Sequence, residues 1–270
     1  MILIAIIKRV VDRFGLLENL RQTKFYLDLA VFLKKEHRIL LFKEKTFYRQ
    51  LVKKHDLVFD IGSNIGSKTY LFHEIGCKVI SVEPDSTAFI TLKKRLGKLK
   101  NIILLNIGIG ESKSIQELFK LNSSTLSTFD KQDLSFTVND PRFNSNADIL
   151  ESEIIQMDTL DNLIYKYGLP KFVKISTVGY ELNVLKGLNN PVKFLSITCN
   201  LPYHAEKTMD CIHLIDKLGN YEYNFFKSHL VNGFHSADWM NSIEIRGHIN
   251  QLLAASNCHY IEIFARIKEY

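Results

Sequence analysis

Apolar and polar positions along this chain switch between two periods, and each switch marks an element. Leu57, Val58 and Phe59 form an apolar run without alternation, the pattern of a strand covered on both faces. Asp60-Ile61-Gly62-Ser63-Asn64-Ile65-Gly66 breaks that run, and its glycines allow a sharp turn and a close approach to a ligand. Thr69–Ile75 then reads as a short helix closed by Gly76, and Val79–Val82 as a second strand ending on Glu83. Ser86–Leu96 is an amphipathic helix, with Ser86 predicted as its N-cap and Gly97 as its stop. Asn101–Ile107 reads as a third strand, Phe172–Ile175 as a fourth and Lys193–Cys199 as a fifth. Helices are predicted over Thr159–Tyr167, ended by Gly168-Leu169-Pro170, and over Asp210–Leu218.

Two regions depart from this rhythm. Leu3, Ile7, Val10 or Val11 and Phe14 fall on one helical face, with Lys8, Arg9, Asp12 and Arg13 on another. Met1–Ile7 is far shorter than the ~20 residues that a bilayer core requires, and no small-residue cleavage site follows it. The expectation is a helix packed on the domain or on a second subunit; the alternative is a weak membrane-surface contact through residues 1–14. Phe25–Val52 continues in helical periodicity and is expected to cap the cleft. Residues 1–50 are therefore read as a helical extension and 51–270 as the main domain, with an insertion at about 111–156. In the insertion Ser123-Ser124-Thr125-Leu126-Ser127 and Asn139-Asp140-Pro141-Arg142 are loop chemistry, of a length that is usually functional or mobile.

A chain of 270 residues, 46% hydrophobic, is sufficient for one α/β domain with a small addition. The net charge of +6 is spread over several predicted helices, which argues for a solvated surface and against a nucleic-acid groove. Cys77, Cys199, Cys211 and Cys258 show no paired or metal-ligating spacing, so free thiols and a cytoplasmic location are expected. His229, His235 and Asp238 fit no standard metal site, and no metal is expected.

The candidate chemistry lies around Gly62. Glu83 follows Gly62 by twenty-one positions, close to the ~20-residue offset at which an acid takes ribose hydroxyls in nucleotide-binding βαβ units. A dinucleotide fingerprint fails at Asn64 and Ser67. Gly62–Thr69, GSNIGSKT, approaches a phosphate-binding P-loop, but Asp60 would repel a triphosphate. S-adenosylmethionine carries no phosphate; its cationic tail and ribose diol suit Asp60 and Glu83. Gly62, Asn64 and Gly66 are the accompanying turn candidates, and Asn106, at a strand end, is a candidate for the adenine edge.

DLVFDIGSNIG followed by ISVEPD, together with TLDNLIYKYGLPKFVKI and GYELNVLKGL, resembles the FkbM-type family of S-adenosylmethionine-dependent methyltransferases. The resemblance covers most of residues 47–200 and implies a Rossmann-like seven-stranded methyltransferase sheet, with Tyr221–Phe226 and Ile261–Ile267 as its final antiparallel pair. It implies an insertion that shapes the acceptor pocket, and methyl transfer to a hydroxyl of a small molecule or glycan. The chain departs from the family's I-D-V-E-G-Y-E: it reads Ile175-Ser176-Thr177-Val178-Gly179-Tyr180-Glu181. Ser176 thus stands where a carboxylate is expected, and His204, beyond the fifth strand, is the candidate proton acceptor. The rival expectation is a cofactor-binding pseudoenzyme that acts as a partner or scaffold.

Overall fold

A computed structural model of the chain describes residues 35–121, 127–130, 149–227, 233–255 and 260–268. Residues 1–14, Arg142, His229 and Cys258 lie outside these ranges. Helix α1 (Lys35–Tyr48) leads into β1 (Leu57–Ile61), α2 (Ser67–Ile75), β2 (Lys78–Val82), α3 (Ser86–Leu96) and β3 (Ile102–Leu105). Strands β4 (Gly108–Ile109), β5 (Ser114–Leu121) and β6 (Ile149–Asp158) follow, then α4 (Leu160–Tyr167), β7 (Phe172–Ile175) and α5 (Glu181–Lys186). The chain continues through β8 (Phe194–Cys199), α6 (Ala205–Leu218), β9 (Tyr221–Lys227), α7 (Ser242–Ala254) and β10 (Ile261–Ile267).

The main sheet has seven strands in the order β3-β2-β1-β7-β8-β10-β9. All neighbours are parallel except at β10, which runs antiparallel to both β8 and β9. The order reverses direction from β1 to β7, and in open α/β sheets ligands settle in the crevice that such a reversal creates beyond the strand ends. The region around 111–156, whose pattern loosens in the sequence, supplies β5 and β6, which pair antiparallel and join β4 in a second, three-stranded sheet.

Strand alternation gives the main sheet two different faces. Phe59, Ile61, Ile80, Val82, Val173 and Ile175 build one core. On the other face α1 and α2 bring Phe47, Tyr48 and Phe72 against Val58, Phe172 and Phe264. The ring of Tyr48 lies edge-on to Phe72 at 5.1 Å, and Phe172 stacks on Phe264 at 6.3 Å. This second face also carries a buried polar row. Asp60 accepts from Thr69 Oγ1 at 2.6 Å, and Lys174 Nζ lies 3.4 Å from Glu262 Oε1, which also accepts from Ser196 Oγ. Helix α1 thus caps the aromatic face, and none of its described residues lines the cleft it was expected to cover.

Two local expectations shift. Asp85, rather than Ser86, caps α3: its carboxylate accepts the N–H groups of Thr87 and Ala88, since an extended residue one step earlier points its oxygen back at the first turn. Helix α6 starts at Ala205, five residues before the predicted Asp210. Helix α7 carries an unpredicted capping box, Asn241 with Glu244.

Candidate functional site

The cavity lies at the C-terminal ends of β1, β2 and β7. It has a volume of about 140 Å³, and Gly62, Asn64 and Glu83 form one side of it. Gly62 takes φ +76°, and a Cβ there would sit 2.1 Å from the Ser176 carbonyl oxygen. Only glycine allows β1 to turn this close to the end of β7. The Gly62 and Ser63 amides donate to the Val82 carbonyl. Gly66 serves the packing instead, since its missing Cβ leaves room for Leu92 and Leu96 of α3, and it does not line the cavity.

Glu83 is 5% exposed, and its two oxygens accept the Asn64 N–H at 2.6 Å and the Asp85 N–H at 2.9 Å. Burial raises its carboxyl from 4.5 to about 8 despite those donors, with the charges of Asp85 and Asp60 adding to the rise. Asn106 Nδ2 donates to the carbonyls of Glu83 and Pro84, both at 2.9 Å, and so braces the backbone that presents the carboxylate. Asp60, a candidate ligand by sequence, stands away from the wall. Alternation along β1 puts it on the Thr69 face, where burial raises its carboxyl and Lys174 opposes the rise.

Ser176, Thr177 and Val178 also line the cavity, next to the Gly62 turn. Ser176 Oγ accepts from Thr198 Oγ1 at 3.1 Å. Thr177 Oγ1 is buried and has no hydrogen-bond partner within the protein. Such an orphan hydroxyl on a cavity wall marks a place for a polar ligand atom. Val178 sits at φ +48°, an unusual conformation for a β-branched residue. Its holder is Glu181, buried at the start of α5, whose carboxylate accepts the N–H of Thr177 at 2.8 Å and of Gly179 at 2.9 Å. Burial raises the Glu181 carboxyl, opposed by these N–H groups and by the charge of His204. His204 precedes α6, is 8% exposed, and is not one of the lining residues.

A short strap completes the wall with Ser127 and Phe129. Thr128 exchanges two backbone bonds with Phe119 of β5, and Ser127 Oγ donates to Asp85 Oδ2 at 3.0 Å. Asp130 pairs with Lys207 at 3.0 Å, and Phe129 lies 5.1 Å from the ring of Tyr180. The sequence held one signal for the clamp, the Gly179-Tyr180-Glu181 triplet, but none for the strap, because Phe129 meets Tyr180 only in three dimensions.

The near P-loop is not assembled as one. Lys68 Nζ bonds Glu44 of α1 at 2.5 Å and lies 5.6 Å from the Tyr48 ring centroid, outside the cavity lining. His235 stacks on Phe225 with ring centroids 4.4 Å apart. Cys77, Cys199 and Cys211 are buried free thiols, and no described helix is long and apolar enough to cross a membrane.

A seven-stranded sheet of this order, with a glycine turn after β1 and an acid after β2, defines a Rossmann-like methyltransferase fold. The Methyltransferase FkbM domain matches residues 60–225, and the chain belongs to that family. Among solved structures it is similar to a precorrin-6y C5,15-methyltransferase of Geobacter metallireducens GS-15, at 10% identity over 87% of this chain and 89% of that one, with a TM-score of 0.44. A putative rRNA methylase of Clostridium thermocellum is similar at 10% identity over 86% and 97% of the chains, with a TM-score of 0.41. A putative methyltransferase of Streptococcus mutans in complex with SAH is similar at 10% identity over 84% and 98%, with a TM-score of 0.38. No curated protein matches the sequence.

Proposed function

We propose that this protein transfers a methyl group from S-adenosylmethionine to a hydroxyl of a small molecule or glycan. The observation that carries the reading is the cavity wall itself, which combines the Gly62 turn, a buried Glu83 carboxylate and an orphan Thr177 hydroxyl. Glu83 would accept from the ribose hydroxyls, with Asn64 fixing its orientation through the main chain. Thr177 Oγ1 would meet a polar atom of the amino-acid tail. Asp60, Gly66 and Asn106 support this turn from outside the wall. When bound, the cofactor supplies an electrophilic methyl group for in-line displacement, so positioning can supply much of the rate.

Ser176 Oγ, held by Thr198, would orient the acceptor hydroxyl. Glu83 is the one ionisable side chain among the lining residues, and in this reading it is taken up by the ribose. The acceptor proton is therefore assigned to the layer behind Thr177 and Gly179, to His204 beside the buried Glu181. The neutral wall of Ser176 and Val178, where the family motif has carboxylates, favours the second reading, a cofactor-binding pseudoenzyme.

Calorimetry with S-adenosylhomocysteine and with ATP tests the cofactor. Binding of the first and not of magnesium-ATP is expected, and the reverse result would overturn the assignment. Given an acceptor, His204→Ala should lower turnover by roughly tenfold or more; unchanged turnover removes His204 from the mechanism. Cofactor binding with no turnover across a broad hydroxyl panel would favour the pseudoenzyme.

A further inference from the structure

The pole opposite the cavity has a chemistry of its own. Where strands of the main sheet reach that pole, lysines gather: Lys98 and Lys100 precede β3, Lys78 opens β2, and Lys53 and Lys54 precede β1. Lys171 precedes β7, Lys193 precedes β8, and Lys268 follows β10, whose antiparallel direction returns its end to the same side. Sheet order arranges them as one row from β3 to β10. Adjacent strands lie about 4.8 Å apart, so the row spans about 24 Å. Asp56 is the single acid in the described segments that carry these lysines next to the strands. Lys171 records the crowding: burial first, then the charge of Lys193, hold its ammonium below its ordinary value.

Within the row the sheet face is open among the described residues. The crossover from β3 to β7 is made by the small second sheet and the short α4, and a groove of about 310 Å³ remains between Lys78 and Lys100. Leu57, Ile80, Ile103 and Tyr167 line it. Ile103 is 44% exposed, and Leu169, two residues before Lys171, is 59% exposed.

We propose that this pole docks on an anionic lipid bilayer, with the lysines at the headgroups and the groove taking apolar surface from the interface. Lysines around exposed aliphatic side chains suit that boundary, since their stems cover apolar surface while the ammonium stays wet. A nucleic acid would gain from the charge but not from an aliphatic groove. A symmetric second copy would bring the same positive row against itself. Docked this way, the cavity faces away from the bilayer, at the other end of the strands, and stays open to acceptors in the aqueous phase. The docking stands independently of the proposed methyl transfer.

The test is co-sedimentation of the full chain with phosphatidylcholine vesicles, with and without phosphatidylglycerol, over a salt series. Binding should require phosphatidylglycerol and weaken with salt. A lysine near an anionic surface is worth roughly fivefold in partitioning, so Lys78→Glu with Lys100→Glu should lower binding by at least tenfold. Ile103→Ser with Leu169→Ser should lower it without changing charge, and unfolding midpoints of all variants check that they fold. If the charge-reversed pair does not fold, Lys100→Glu alone should still show roughly a fivefold loss. Lys8→Glu with Arg9→Glu should leave binding intact; loss in that variant alone would assign the contact to the N-terminal segment and overturn the proposal. No vesicle binding, equal binding to phosphatidylcholine alone, or salt-sensitive RNA binding in its place would also overturn it.

Discussion

Replacing Glu83 by Gln tests the wall of the cavity through stability as well as through ligand affinity. The Glu83 carboxyl moves from 4.5 to about 8 because burial penalises its charge by more than the Asn64 and Asp85 amides recover. A group whose folded pKa is raised binds its proton more tightly in the native chain than in the unfolded one. Its stabilising contribution is complete below about 4.5, falls as pH rises, and is lost above about 8. A shift of this size corresponds to about 3–5 kcal/mol at most across that window. Glutamine keeps the shape and one acceptor oxygen but carries no charge. Denaturant unfolding of ligand-free protein near pH 4.5 should therefore give similar stabilities for wild type and Glu83→Gln. At pH 9 the variant should be more stable by about 2–4 kcal/mol, because it avoids the buried charge. Asp60 and Glu181 are also raised, but they titrate in both proteins and cancel in the difference. At pH 9, where the wild-type carboxyl is ionised, S-adenosylhomocysteine should bind the variant less tightly by about 1.5–3 kcal/mol, the range for a hydrogen bond to a charged group. Parallel stability curves from pH 6 to 9 would refute the buried carboxylate, and unchanged affinity would refute its placement at the ribose.

Gly62→Ala should destabilise the fold by about 2–5 kcal/mol in denaturant unfolding, summing a left-handed backbone penalty and overpacking against the Ser176 carbonyl; a loss under 1 kcal/mol would mean that the turn opens easily. Lys174→Met should cost about 3–5 kcal/mol by leaving Glu262 buried without its cation. Adding Glu262→Leu should recover part of that, with a coupling of about 1–3 kcal/mol, and strict additivity in the double-mutant cycle would show that the two charges act independently.

Much of the fold was legible in the sequence because its signals are local. Strand-like runs of three to seven residues, several of them bounded by glycines such as 62, 76, 97 and 168, placed the first five core strands to within a few residues. Gly62, Asn64 and Glu83, singled out by the turn and its offset, and Ser176, singled out by the family resemblance, are all lining residues of the cavity. Harder were β5 and β6, whose outward faces expose Ile115 and Ile154 and whose pairing joins residues far apart in the chain. Asp60 and Glu83 look equivalent as letters, yet strand alternation sends Asp60 to the Thr69 face while Glu83 lies past the end of β2 and faces the cavity. The clamp of Glu181 on Thr177 and Gly179, the orphan Thr177 hydroxyl and the Phe129 strap exist only once β7, α5 and β5 have packed together. Local sequence determined which segments become strands and where they turn, because periodicity and glycine act over a few residues. Which polar groups are buried, paired or left facing the cavity was decided by tertiary structure, because desolvation and hydrogen bonding depend on neighbours that the chain brings from a distance.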